Sequence, residues 1–246
     1  MDSGLYAACT ALMSRTQALD TVANNLANSN TQGFRATRTS FNSVLAGFGH
    51  KLHSKLNVVA NSYGLEGSSS LDMQPGVLQT TGNPLDVGID GPGFLTIQTA
   101  NGVAYTRNGA LQVSPQGLLT TAVGEPVLGN NGPITVPPST TVQISSDGTV
   151  TANGAIAGKL NMVDFAPGAN PKSLGGSNYG VPANQVTPST TSQLRQGVLE
   201  QSNVNPISSV IQLIEAQRSV EGMRHALTMI DTDINKTAAQ DIPRVS

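Results

Sequence analysis

Two stretches, one at each end of the chain, carry apolar residues at steps of three and four. At the N-terminal end the seam runs Leu5, Ala8, Leu12, Leu19, Val22 and Leu26, with Arg15 its one charged position. At the C-terminal end it runs Leu213, Ala216, Val220, Met223, Leu227, Ile230 and Ile234. Such spacing lets a helix bury a narrow stripe against another helix. The first seam stops at Asn28, and Gly33 follows, where a chain leaving a helix turns through positive φ without steric cost. Asn205-Pro206 marks the start of the second: Asn caps free N–H groups, and Pro is tolerated at the first helical position. Gly222 weakens that helix by about 1 kcal/mol relative to Ala.

Each seam has a natural partner in the other, because an antiparallel pair brings the two chain ends together. Two helices alone, however, leave apolar surface wet. Val210, Leu213 and Ile214 on one, with Tyr6, Leu12 and Met13 on the other, point over more than one stripe. No further helix of similar length is predicted in the chain. The expectation is therefore that the termini of several copies, or of relatives, bundle together.

Between the ends the period changes. Phe41, Val44, Leu45 and Phe48 fall at helical steps and predict a brief helix between Thr37 and Gly49. His50 and His53 are three residues apart beside Lys51 and Lys55, which reads as an exposed basic patch rather than a metal pair. Residues 54–70 read as an extended, polar linker. From Leu71 to Gln196 the apolar residues alternate. Leu85 to Ile89 and Phe94 to Gln98 read as strands either side of Asp90-Gly91-Pro92-Gly93. Asn108-Gly109 and Asp147-Gly148 each predict a two-residue hairpin turn, since both residue types accept positive φ. Gly132 to Pro138 reads as a short edge strand between prolines that cannot donate to a ladder. Leu160 to Phe165 makes another strand, and residues 168–191 carry no clear period. The expected fold class is α+β: N- and C-terminal heptad helices in a coiled-coil-like bundle, with a central all-β domain of short strands. The expected organisation is an axial helix and exit turn over 1–35, an arm over 36–70, the β domain over 71–196 and a second axial helix over 197–246.

Composition narrows the function classes. Charged residues make up only 11% of the 246 residues, and the net charge is −2. The chain lacks the clustered Lys and Arg that phosphate backbones demand, which argues against a nucleic-acid partner. A surface so poor in charge does little to keep copies apart. Cys9 is the single cysteine, so neither an internal disulfide nor a thiolate metal cluster is possible. The first residues lack a basic n-region, so no cleaved signal peptide is expected. The longest uncharged run, from Pro126 to Ser146, is broken by prolines and cannot span a bilayer, so no membrane insertion is expected. Asp86 and Asp90 lie four apart without a proton donor nearby, and no Ser-His-Asp, H-E-x-x-H or phosphate-loop pattern occurs. Neither catalysis, a cofactor nor a metal site is expected.

Specific motifs then carry a resemblance. Asn24-Asn25-Leu26-Ala27-Asn28, with Thr31 and Gly33-Phe34-Arg35, resembles the N-terminal signature of the bacterial flagellar rod and hook proteins. Gly197-Val198-Leu199-Glu200-Gln201-Ser202-Asn203-Val204 resembles that family's segment before the C-terminal helix. Gln217-Arg218 and Glu221 fit a further family pattern, with Val220 standing where an aromatic is usual. Pro84-Leu85-Asp86-Val87, Gly91-Pro92-Gly93-Phe94 and Tyr105-Thr106-Arg107-Asn108-Gly109 are similar to its central motifs. Within the family, Gly132 to Pro137 follows one rod subunit's pattern, and the span from Phe34 to Leu85 is short for the distal-rod subunit, which stands as the alternative. An exported β-rich binding or adhesion module is the alternative from a different class.

The resemblance implies a structural subunit delivered by the flagellar type III export apparatus into the periplasmic basal-body rod. Its partners would be other rod proteins and copies of itself. Assembly contacts are expected at the seam positions Leu5, Leu12, Leu19, Val22, Leu26, Leu213, Val220, Met223, Leu227, Ile230 and Ile234. They are also expected at the signature residues Asn24, Asn25, Asn28, Gly33, Phe34, Ser202, Asn203 and Val204. Residues 28–35 would steer the chain out of the inner layer of the tube.

Overall fold

The computed structural model describes residues 2–43, 65–137 and 140–240. Both terminal seams form helices: α1 spans Asp2–Ala27 and α2 spans Pro206–Gln240, starting on the proline that the sequence marks. The chain divides into two compact units. One contains α1, α2 and most of a two-stranded ribbon formed by β1 (Thr37–Ser43) and β2 (Leu65–Leu71). The other is the β unit, made of Ala27–Thr37 and Ser70–Asn205.

In the helical unit the described seam residues Leu12, Leu19, Val22, Leu26, Leu213, Met223 and Leu227 are half-buried, and Val220 is buried. The side chains of Leu5, Ile230 and Ile234 lie outside the described residues. The brief helix expected between Thr37 and Gly49 is corrected at its start: Thr37–Ser43 is strand. β-Branched Thr37 and Thr39 with Phe41 favour a pleated backbone, and pairing with β2 satisfies its polar groups, which outweighs a weak helical spacing. That partner strand, Leu65–Leu71, takes in the end of the stretch read as linker, residues 65–70. The rest of the expected helix and the pair His50 and His53 lie outside the described residues.

The β unit is built around a six-stranded antiparallel sheet in the order β15-β16-β6-β5-β14-β17. Its strands are β5 (Phe94–Thr99), β6 (Gly102–Thr106), β14 (Met162–Phe165), β15 (Lys172–Gly175), β16 (Asn178–Gly180) and β17 (Val186–Pro188). Alternation along central β5 fills two cores. Leu95 and Ile97 enter the larger, with Val87, Leu119, Val127, Val136, Val150 and Leu160. Phe94 enters a smaller aromatic cluster with Tyr105, Val163 and Tyr179. There the Phe94 and Phe165 rings stack at 4.2 Å, and Tyr179 meets Phe94 edge-on at 5.8 Å.

Two long-range strand pairs complete the unit. β3 (Leu78–Thr80) pairs with β19 (Val198–Glu200), and β4 (Val87–Asp90) pairs with β18 (Gln193–Gln196). A three-stranded sheet runs β11-β12-β13, with β11 at Val142–Ile144, β12 at Thr149–Ala152 and β13 at Ala155–Lys159, and β9 (Leu128–Gly129) pairs with β10 (Gly132–Pro133), the start of the expected edge strand.

The turn predictions divide. The hairpin around Asp147-Gly148 forms, but only Gly148 takes positive φ, and a Gly148 N–H to Ser145 O bond of 3.0 Å closes a longer loop. The hairpin at Asn108-Gly109 does not form. β6 runs between β5 and β16, while the following strand β7 (Leu111–Val113) pairs with β8 (Leu119–Thr121). Residues 107–109 instead cross to β4, where the Val87 N–H donates to Gly109 O at 2.9 Å. The Asn-Gly that does make a two-residue turn is Asn153-Gly154, with φ of 50° and 83°, between the paired Ala152 and Ala155. The stretch without a clear period yields β15, β16 and β17. Asp86 and Asp90 are building groups: Asp86 accepts from the Asn83 side chain at 2.9 Å, and Asp90 pairs with Arg195 at 2.7 Å on the surface.

Candidate functional site

Residues from three distant stretches meet inside the β unit. The first is Gly33-Phe34-Arg35-Ala36, just after the exit from α1. The second is the Arg107-Asn108-Gly109 crossing, and the third runs from β19 through Glu200 to Asn203. Gly33 takes φ of +68°, which aims its N–H at Glu200 O, 2.8 Å away. Three residues later, Ala36 N–H donates to Asn203 Oδ1 at 2.7 Å, while Asn203 N–H donates to Phe34 O at 3.3 Å. Asn203 Nδ2 in turn donates to Asp72 O and Gln74 O, at 3.0 and 2.9 Å. One asparagine thereby ties the segment leaving α1, the segment following β2 and the segment leading into α2. Its amide carries both donors and an acceptor, whereas an aspartate of the same size would only accept.

At the centre lies a buried charge cluster. Glu200 is 1% exposed and uses both oxygens: Oε1 meets Arg35 Nη2 at 2.7 Å and accepts from Gly76 N–H at 2.8 Å, and Oε2 meets Arg107 Nη1 at 2.7 Å. Both arginines are also 1% exposed. Two guanidiniums against one carboxylate leave a buried positive excess, and the surroundings spread it. Arg35 Nη1 donates to Gln74 O, Arg107 Nη2 donates to Gly91 O, and the Arg107 guanidinium lies 5.1 Å from the centre of the Phe94 ring. Burial, and then the charge of Arg107, push the Arg35 pKa down, while Glu200 and Tyr179 oppose them. Removing Glu200 from such a cluster costs about 3–5 kcal/mol, because both arginine charges then stay buried without a counter-ion.

Tyr179 closes the cluster from the sheet. Its fully buried phenol oxygen accepts from Arg35 N–H at 2.8 Å and faces Gly33 O at 3.4 Å. Burial pushes its pKa up to about 12, against the hydrogen bond from Arg35 and the arginine charges. An unfolded tyrosine ionises near pH 10. Between about pH 10 and 12 the unfolded chain has therefore lost a proton that the folded one keeps, so this contribution falls as pH rises. In urea unfolding at pH 9 and pH 11.5, the wild-type chain is expected to lose about 2 kcal/mol more than Tyr179→Phe. Equal losses would show that Tyr179 does not couple folding to pH.

The cluster accounts for most of the signature residues. Phe34 is buried, Gly33 and Asn203 are hydrogen-bonded as described, and Val204 is buried with its N–H on Ser202 Oγ at 3.2 Å. Asn28 holds the turn after α1, accepting at its backbone oxygen from Thr31 N–H at 3.1 Å and at Oδ1 from Thr31 Oγ1 at 3.2 Å. Asn24 is exposed and Asn25 half-buried on the last turns of α1. Arg35, Arg107 and Glu200 lie inside the motifs quoted above but, like Tyr179, are not among the expected assembly contacts. Those motifs are the signal for the first three, since each carries one of these charges in so uncharged a chain. Tyr179 lies in the stretch without a period and carries no such signal.

Comparison with known proteins agrees with the placement of these motifs. Residues 5–35 match the flagella basal body rod protein family. Residues 88–152 match the D1 domain of the flagellar hook protein FlgE/F/G, and residues 195–239 match the C-terminal region of the flagellar basal body rod FlgEFG protein. The flagellar basal-body rod protein FlgF of Mesorhizobium japonicum is 35% identical, over 90% of both chains. FlgF of Salmonella typhimurium is 33% identical over 94% of this chain and 95% of its own. FlgG of Bacillus subtilis, also a basal-body rod protein, is 31% identical over 92% and 94%. These relatives are structural rod proteins rather than enzymes. The chain belongs to the flagellar rod and hook family, as a FlgF-like structural subunit of the basal-body rod.

Proposed function

We propose that this subunit joins the rod through its terminal helices, which pair along their seams and pack against other rod subunits and further copies of itself. Continuous burial along those seams then lets the tube carry motor torque to the hook. One observation carries this reading. Besides its seam, α2 bears a second apolar stripe, Ile207, Val210, Ile211 and Ile214, spaced i, i+3, i+4, i+7 and exposed at 75, 43, 55 and 46%. Such a row on a helix is a docking surface that water opposes. Met13 on α1 and Met229 on α2 are exposed as well. Gly33, Phe34, Ser202, Asn203 and Val204 serve assembly from inside the β unit in this reading, by setting how the chain leaves it. Delivery by the type III export apparatus suits a chain with a single cysteine, since a disulfide would lock a fold that a narrow channel must pass unfolded.

The test compares the full-length chain with the double variant Ile211→Asp/Ile214→Asp. In sedimentation the wild type is expected to associate as concentration rises, and the variant to stay monomeric. In cells the variant is expected to be missing from purified basal bodies. Normal incorporation of the variant would overturn the role of this stripe.

A further inference from the structure

We propose that residues 193–203 act as a latch on the β unit, whose core closes only when this late segment is in place. The latch stands whether or not the terminal helices pair as proposed above. Three observations converge on it.

First, β3 and β4 pair, among the described residues, only with β19 and β18 in their sheets. Val87 and Ile89 of β4 belong to the main core, and Leu194 of β18 fills the same core, so an absent β18 leaves both an open edge and a void. Second, Arg35 and Arg107 converge from positions 72 residues apart onto the carboxylate of Glu200. Until Glu200 arrives, closing the unit would bury two like charges without a counter-ion. Third, the backbone links of the first-arriving segment run to the last: Gly33 N–H to Glu200 O, Ala36 N–H to Asn203 Oδ1, and Gly76 N–H to Glu200 Oε1. The N-terminal side of the unit thus has strand partners, counter-charge and hydrogen-bond acceptors that come mainly from its last ten or so residues.

A chain delivered N-terminus first, from the ribosome or through a channel, therefore keeps the β unit open until residue 203 is available. Loop-closure entropy opposes early pairing, because the contacts from Arg107 to Glu200 and from Ala36 to Asn203 span 93 and 167 residues. The device keeps the β unit open for most of the chain's passage without a disulfide switch, which a single cysteine could not form within the chain.

The experiment is refolding of the full-length chain with pulsed hydrogen exchange. Core amides such as Leu119 and Val127, which bond to Ile134 O and Leu119 O, are expected to gain protection in the same phase as Gly33 and Gly197, which bond to Glu200 O and Asp86 O. Full-length Glu200→Gln keeps the size of the side chain and removes the counter-charge. It is expected to slow protection of Leu119 and Val127 on the order of tenfold, or to prevent it. Glu125→Gln is the control, since Glu125 bonds Asn178 at 3.0 Å and, among the described residues, pairs with no arginine. Protection of Leu119 and Val127 well before Gly33 and Gly197 would overturn the latch. So would an unchanged rate in Glu200→Gln, or equal slowing in Glu125→Gln.

Discussion

Gly33→Ala is expected to destabilise the β unit by about 4 kcal/mol, which for a chain of this size lowers the melting temperature by roughly 10 °C. Two costs add. At φ of +68° any Cβ meets the strain of the left-handed region, about 1 kcal/mol. At this position the Cβ would also fall 2.5 Å from Asn108 N and 2.7 Å from Arg107 O. Both are backbone atoms, so no side chain can rotate aside. Relief requires the 33–36 segment to move off the 107–109 crossing, which stretches the bonds of Gly33 to Glu200 and of Arg35 to Tyr179. Gly82 supplies the control: it has φ of +75°, yet nothing lies within 4 Å of its missing Cβ. Gly82→Ala is expected to cost only the conformational share. Melting of full-length chains separates the two, and equal losses would show that Gly33 is a turn residue and nothing more.

That contrast also shows what a sequence reveals and where it stops. Gly33 was legible as a positive-φ position because it follows a helix seam, and the structure gives it that φ. Its contact with the 107–109 backbone was not legible, since close approach depends on two segments with no local relation. The two helices were the plainest features, because a seam of three and four steps is a purely local pattern. The strands β4, β5, β11, β12 and β14 were legible for the same reason. The partners of β4, β5 and β14 were not: β4 and β5 adjoin in sequence but lie in different sheets.

Asn108-Gly109 illustrates how a strong local signal is overruled. Its dipeptide matches a type I′ turn, but Arg107 has a stronger demand. Its guanidinium must reach Glu200, so the chain leaves β6 for the charge cluster instead of doubling back. Asn108 then serves the crossing with its side chain, accepting from Ala110 N–H at 3.0 Å. At Asn153-Gly154 no such demand exists, and the same dipeptide turns as its φ preferences favour. The candidate site was half legible in the same sense. The three signature motifs mark its components, while their convergence on Glu200 and Asn203 is a property of the closed unit alone.

Leu227→Asp is expected to remove the subunit from the rod while leaving the β unit intact. Leu227 lies on the α2 seam, half-buried, two turns beyond the buried Val220. A carboxylate at this half-buried position puts a charge into the apolar stripe, and burying charge there costs up to several kcal/mol. The β unit does not include α2, so melting of its core should match the wild type. Two readouts are needed: the near-ultraviolet tyrosine signal of Tyr105 and Tyr179 for the β unit, and recovery of the chain in purified basal bodies for incorporation. Leu26→Asp, on the facing seam of the proposed pair, is expected to give the same division. If both variants swim normally, the seams do not carry assembly. If both lose the tyrosine signal as well, the helices are required for the β unit, and its stability does not reside in the latch and the charge cluster. Loss of incorporation with a retained tyrosine signal assigns the β unit its stability and the helices their place in the shaft.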